Sequence, residues 1–229
     1  MEEFKTGVLR DGESQWPQPR FHRQMKDCCS SYFAPKPAGL GWELAAALPV
    51  AVETSDRVLD ALKVTGGETL LVHGAAGVVG SVGVQLAVTR GATVIGTSSE
   101  TNHDYLRSLG AVPVTHGDGL LGRVRAAAPQ GIDAVYDATG YDVLELSMEL
   151  RGGTTDRIVT IADMWAAKLG IAFSAGGRRP WPELADYARL AASGRLRVRI
   201  AQSFPLADAR KAHELSEAGH PHGKLILRP

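Results

Sequence analysis

LVHGAAGVVGSVGVQLA, Leu71 to Ala87, is the stretch of this 229-residue chain whose reading decides the fold. Leu71, Val72 and His73 close a short apolar strand, and Gly74, Gly77 and Gly80 punctuate a turn. Val79, Val82 and Leu86 then recur as one stripe of a helix. A strand that turns through glycines into a helix presents free backbone N–H groups and the positive helix end at the turn. An anion reaches them only where no side chain intervenes. Gly77 therefore reads as the point of close approach, and Gly80 as the residue that lets the helix pack near the strand. The usual GxGxxG pattern has glycine where this chain has Ala75.

The alternation continues outward from this turn. ATVIGTS, VPVTH, IDAVYDATG and RIVTIAD read as four more strands, with helices from about Thr101 to Leu109, through Leu121 and Val124, and from Val143 to Leu150. Strands that are apolar on both sides and separated by helices belong to a parallel sheet covered on both faces. The expected fold class is α/β, a doubly wound parallel sheet. IAFSA adds a strand, Pro182–Ser193 a helix, RVRI a short extended piece, Leu206–Ala218 a helix, and KLILRP a closing strand. Upstream, Trp42–Leu48 reads as a helix halted near Pro49, and Thr54 or Ser55 as the cap of a second helix. Residues 1–33 show no period. They read either as an irregular arm packing Trp16, Phe21, Tyr32 and Phe33 onto something, or as disorder.

Composition narrows the classes. Lys+Arg and Asp+Glu balance at 25 each, which leaves no electrostatic footprint for nucleic acid or an anionic membrane. No apolar run approaches the ~20 residues of a membrane span. The acidic start MEEFKTGVLRDGE has no signal core, and the two cysteines, Cys28 and Cys29, are neighbours with no CxxC or His/Cys cluster. A cytoplasmic protein without a metal site is expected.

A strand–glycine turn–helix that opens a series of five strands reads as a dinucleotide site, the alternative being a glycine turn that only packs helix on strand. The second strand ends Gly96-Thr97-Ser98-Ser99, where an NAD site places Asp or Glu on the ribose hydroxyls. Small hydroxyls leave space and donors for a 2′-phosphate, so NADPH is the expected cofactor, with Glu100 turned to solvent. His73 reads as packed structure, Asp137 as a loop hydrogen-bond acceptor, Tyr141 as a surface tyrosine and Arg178-Arg179 as a solvated turn. His220 and His222 lack a third ligand for a metal. No Ser/His/Asp or Cys/His arrangement stands out, so no catalytic residue is assigned.

The segments APKPAGLGWELAAALP, GETLLVHGAAGVVGSVGVQLA, RSLGA, GIDAVYDATG and FPLADARKAHELSEAGHPHGKLILRP, in this order, carry a family resemblance. From about Phe33 to Pro229 the chain resembles the zinc-independent quinone oxidoreductases of the medium-chain dehydrogenase/reductase superfamily. The resemblance implies a Rossmann domain, NADPH, and hydride transfer to the activated C=C bond of an enone or to a quinone. It also implies a homodimer paired at the sheet edge near IAFSA.

By position, the resemblance puts Ala76, Gly77, Val78 and Val79 around the pyrophosphate and Ser98 and Ser99 at the 2′-phosphate. Asn102 stands where many members carry a lysine, and His116 near where many carry a tyrosine. Thr139, Gly140, Ala162 and Phe173 would line the nicotinamide. The implied organisation is an arm over 1–33, the Rossmann domain with its preceding helices over 34–200, and a remnant of a GroES-like β-domain over 201–229. The resemblance implies that this sequence lacks most of that second domain. The leading expectation is a reductase whose pocket the arm or a second subunit completes. The alternatives are a repurposed non-redox protein, such as a cyclase or nucleotide-binding partner, and a non-catalytic remnant.

Overall fold

In the computed structural model, which describes residues 34–176, 183–219 and 222–229, helix α1 (Trp42–Ala61) precedes a regular alternation. β1 (Thr69–His73) leads to α2 (Val78–Thr89), β2 (Thr93–Ser98) to α3 (His103–Ser108), and β3 (Val112–Thr115) to α4 (Leu120–Ala127). β4 (Ala134–Asp137) leads to α5 (Leu144–Leu150), and β5 (Ile158–Thr160) and β6 (Ala172–Phe173) follow. These six strands form one sheet in the order β3-β2-β1-β4-β5-β6, with every pair parallel. The chain then runs through α6 (Leu184–Ala192), β7 (Ile200–Pro205), α7 (Ala209–Glu217) and β8 (Lys224–Arg228). β7 and β8 pair in parallel as a separate ribbon. The fold is the doubly wound α/β sheet that the sequence predicts. The arm over 1–33 with its aromatics and cysteines, Arg178, Arg179 and His220 lie outside the described residues.

Burial explains why the strands read as unbroken apolar runs. All five residues of β1 are buried, and alternate residues serve opposite faces. Leu70 and Val72 join the core beneath α1 and α2, with Leu48, Val52, Leu59, Val82 and Val94. Leu71 points to the other core, with Val124, Leu144 and Ile171. In that layer Ile95, Leu71, Val135 and Ile158 stand in register across four strands. Each such side chain taken out of water contributes about 1.5–3 kcal/mol. Helix α2 lies close on the sheet at Gly83, where an added Cβ would lie 2.8 Å from the ring of buried Tyr136.

Three local expectations are corrected. Pro49 does not end a helix: α1 runs 20 residues straight through it. The lost N–H and the ring's crowding of the preceding turn are outweighed by burial of Ala45, Ala47, Leu48, Ala51, Val52, Val58 and Leu59 along one face. Ser55 is accordingly no cap. It is buried, and its Oγ donates to the Val79 carbonyl at 2.9 Å, tying α1 to α2. The extended piece expected over RVRI instead begins pairing only at Ile200 and runs to Pro205.

Candidate functional site

β1 and β4 are neighbours, yet their onward connections run to opposite halves of the sheet, which opens a crevice above their carboxyl ends. The glycine turn occupies this switch point. Gly74 has φ +69°, a left-handed conformation, and a Cβ there would sit 2.5 Å from Thr139 Cγ2. The β1 and β4 loops therefore touch. Gly77 is the N-cap of α2, with φ −66° and ψ 168° and no side-chain cap. The first N–H groups of a helix have no partner inside it, so those of Val78, Val79 and Gly80 need another acceptor. At Gly80 a Cβ would lie 2.2 Å from the Gly74 carbonyl oxygen, so only glycine lets the helix begin this close to the strand. Ala75 is buried and donates its N–H to the Thr97 carbonyl, an internal packing position rather than a point of ligand approach.

On one side of the turn lie Ser98, Ser99, Asn102 and His116. The His116 N–H donates to the Ser98 carbonyl at 3.1 Å, bringing the ends of β2 and β3 together. Ser98 is buried and spends its hydroxyl on the Ser99 carbonyl. Ser99 accepts from Asn102 Nδ2 at 2.9 Å and lies 3.0 Å from the Thr101 hydroxyl. Glu100 is exposed, in a helical turn spanning Glu100–Asn102.

On the other side, Asp137 organises two loops. Its Oδ1 accepts from the Thr139 N–H (2.9 Å), the Thr139 hydroxyl (3.0 Å) and the Gly140 N–H (3.2 Å). Its Oδ2 accepts from the Thr160 hydroxyl at 2.7 Å. Thr160 Oγ1 in turn accepts from the N–H groups of Ala162 and Asp163. Gly140, at φ +69°, lies against Ala162, whose carbonyl oxygen a Cβ would approach to 3.0 Å, and Phe173 stands in register with Thr160. The structure thus brings Thr139, Gly140, Ala162 and Phe173 together, and gathers Ser98, Ser99, Asn102 and His116 on the opposite flank. The sequence reading missed Thr160, which ties the two loops, and Arg199, whose guanidinium reaches Asn102 from outside the sheet. Tyr141 is exposed, as expected.

His73 is fully buried beneath the turn. Ser147 gives its hydroxyl hydrogen to the Val143 carbonyl, so it accepts from His73 Nε2 at 3.1 Å. Thr97, which accepts the Gly74 N–H, donates to His73 Nδ1 at 3.3 Å. This network assigns the neutral ring with its proton on Nε2. Burial pushes the imidazolium pKa well down from 6.5, and the nearby Asp137 charge only partly opposes it. Below pH 6.5 the unfolded chain takes a proton that the folded chain refuses, so stability falls as pH drops through that value. In His73→Gln that part of the pH dependence is expected to flatten. Urea midpoints at pH 7.5 and about 5.5 check it, and an unchanged slope contradicts the buried neutral ring.

Among the described residues no helix is long and apolar enough to cross a membrane. No group of three or more His, Cys, Asp or Glu side chains among them is placed to hold a metal ion.

Comparison with known proteins agrees with this architecture. Residues 109–227 match a family described as zinc-binding dehydrogenase. A 2-haloacrylate reductase from a Burkholderia species is 29% identical, over 73% of this chain and 57% of its own length. A quinone oxidoreductase from Pseudomonas aeruginosa is also 29% identical, over 84% of this chain and 66% of its own. The solved quinone oxidoreductase from Coxiella burnetii superposes with a TM-score of 0.73 at 31% identity, covering 86% of this chain and 63% of that one. The chain thus spans two thirds or less of each of these relatives. Fold, family match and relatives agree: the chain belongs to the zinc-binding dehydrogenase family, in the zinc-independent, quinone-oxidoreductase-like branch of the medium-chain dehydrogenase/reductase superfamily.

Proposed function

We propose that the chain is an NADPH-dependent reductase that delivers hydride to an activated C=C bond or a quinone. The observation that carries this reading is the bare N-terminus of α2 at the switch point, where Gly77 leaves unpaired N–H groups uncovered. The pyrophosphate sits on Ala76, Gly77, Val78 and Val79. The adenosine end runs toward Ser98, Ser99, Asn102 and His116, and the nicotinamide end toward Thr139, Gly140, Ala162 and Phe173. NADPH is favoured over NADH because β2 ends in hydroxyls, with its nearest acid, Glu100, exposed.

When bound, the cofactor supplies a hydride. The chain's own residues hold and orient it: Asp137 and Thr160 fix the two loops at the nicotinamide end, and Gly140 keeps them in contact. Around that end Tyr141, Met164, Trp165 and Phe173 are 74%, 81%, 69% and 40% exposed, an apolar surface fit for a second subunit or the arm over 1–33 to complete into a pocket. Hydride adds to the β-carbon of an enone and solvent supplies the proton at the α-carbon, so the reduction balances without a protein acid at carbon. Two relatives named for reduction of a 2-haloacrylate and for quinone oxidoreduction support acceptors of this electron-poor class.

The test is reduction of an enone or quinone panel with deuterated NADPH. The expected enone product carries deuterium at the β-carbon, with a solvent proton at the α-carbon, and a quinone is expected to give its hydroquinone with matching oxidation of NADPH. Binding of NADPH without oxidation by any acceptor would contradict the reading and favour a non-redox descendant.

A further inference from the structure

A 2′-phosphate is best held by a permanent cation, and of the side chains expected around it only His116 is ionisable to a cation, with no Lys or Arg among them. Ser98, Ser99, Thr101 and Asn102 are neutral, and the acid in the same turn is Glu100. Two nearby arginines, on helices α3 and α4, have partners already. Arg123 donates to the carbonyls of Thr115, His116 and Gly117, and Arg107 pairs with Asp104 at 2.7 Å. Arg199 differs. It comes from the segment just before β7, yet its guanidinium carbon lies 3.8 Å from the centre of the Tyr105 ring in α3. Its Nη1 donates to Asn102 Oδ1 at 3.3 Å, and Asn102 Nδ2 passes the contact on to Ser99. Among the described residues no carboxylate pairs with it.

We propose that Arg199 is the cation that receives the 2′-phosphate of the dinucleotide, and that the phosphate thereby clamps the β7–β8 ribbon to the six-stranded sheet. This rests on the dinucleotide reading given above. The ring contact pre-orients the guanidinium, so little rotamer freedom is lost on binding, and most of its five N–H donors stay open for a bidentate grip. Asn102 cannot carry the charge, but it holds Arg199 beside Ser99. The clamp follows from the backbone: the Arg199 carbonyl accepts the N–H of Lys224, the first residue of β8, at 2.8 Å. An anion that immobilises Arg199 therefore immobilises both strands. No short sequence motif links the partners, because Arg199 and Asn102 are 97 residues apart.

The experiment is calorimetric titration with 2′,5′-ADP, which carries the 2′-phosphate, and with 5′-AMP, which differs only in lacking it. Wild type is expected to prefer 2′,5′-ADP. Arg199→Gln should lose about 10- to 100-fold in affinity for 2′,5′-ADP alone, and Arg199→Lys should recover part of it. In wild type, 2′,5′-ADP but not 5′-AMP should slow amide exchange across Ile200–Pro205, a readout independent of any variant's folding. Equal affinity for both ligands in wild type, or the same preference in Arg199→Gln, would overturn the assignment and leave the dinucleotide site standing. Failure of wild type to bind either ligand would overturn both.

Discussion

Gly77→Asp is expected to weaken NADPH binding by at least 100-fold while leaving the melting temperature within about 3 °C of wild type. The two effects separate because Gly77 is conformationally ordinary. Its φ of −66° and ψ of 168° suit any residue, and an added Cβ would meet only the Gly74 carbonyl oxygen, at 3.2 Å. Aspartate is among the best N-caps. Its carboxylate accepts from the N–H groups of Val79 or Gly80 and favours the positive helix end by about 0.3–1 kcal/mol. Those are the donors a pyrophosphate would use, so the new side chain takes them and adds a like charge. Two such charges about 4 Å apart repel by about 4 kcal/mol in a partly solvated site, more than enough for the predicted loss. Gly80→Ala makes the contrast. Its Cβ would collide with the Gly74 backbone at 2.2 Å, so stability and binding fall together. Cofactor fluorescence with a thermal melt on each variant reads both quantities. Unchanged affinity in Gly77→Asp would place the phosphates elsewhere.

The second large effect is on stability. Asp137→Ala is expected to cost about 2–4 kcal/mol, a melting temperature lower by roughly 5–12 °C. Asp137 is fully buried, and its loss strands the N–H groups of Thr139 and Gly140 and the Thr160 hydroxyl. The cost stays below the sum of the single bonds, because the two N–H groups belong to partly exposed residues and water can reach them. Asp137→Asn keeps one acceptor oxygen but turns the other toward Thr160 as a donor. Thr160 Oγ1 already accepts from Ala162 and Asp163, so this variant should lie between wild type and alanine. If the loops position the nicotinamide, turnover of either variant falls further than its NADPH affinity does. A melt unchanged in Asp137→Ala would remove the network from the account.

How legible these features were in the sequence depends on their range. β1, the glycine turn and α2 were plain, because period and glycine spacing act within a few residues and the central strands are buried on both faces. Asp137 was read correctly as a loop acceptor, since its partners Thr139 and Gly140 lie two and three positions on. Its bond to Thr160 spans 23 residues, and no local pattern encodes it. Pro49 misled for the opposite reason. The local rule against proline in a helix is sound, but the buried face of α1 outweighs it. The hydroxyls at the end of β2 were visible as residue types, whereas the buried Ser98 hydroxyl's commitment to its neighbour's carbonyl, and the arrival of Arg199, depend on tertiary structure.

A nicotinamide dinucleotide on the turn from Gly74 to Gly80 is detected by titrating the protein with NADPH and following cofactor fluorescence. Wild type is expected to bind saturably, and Gly77→Asp to abolish that binding. No binding by wild type at millimolar cofactor would contradict it.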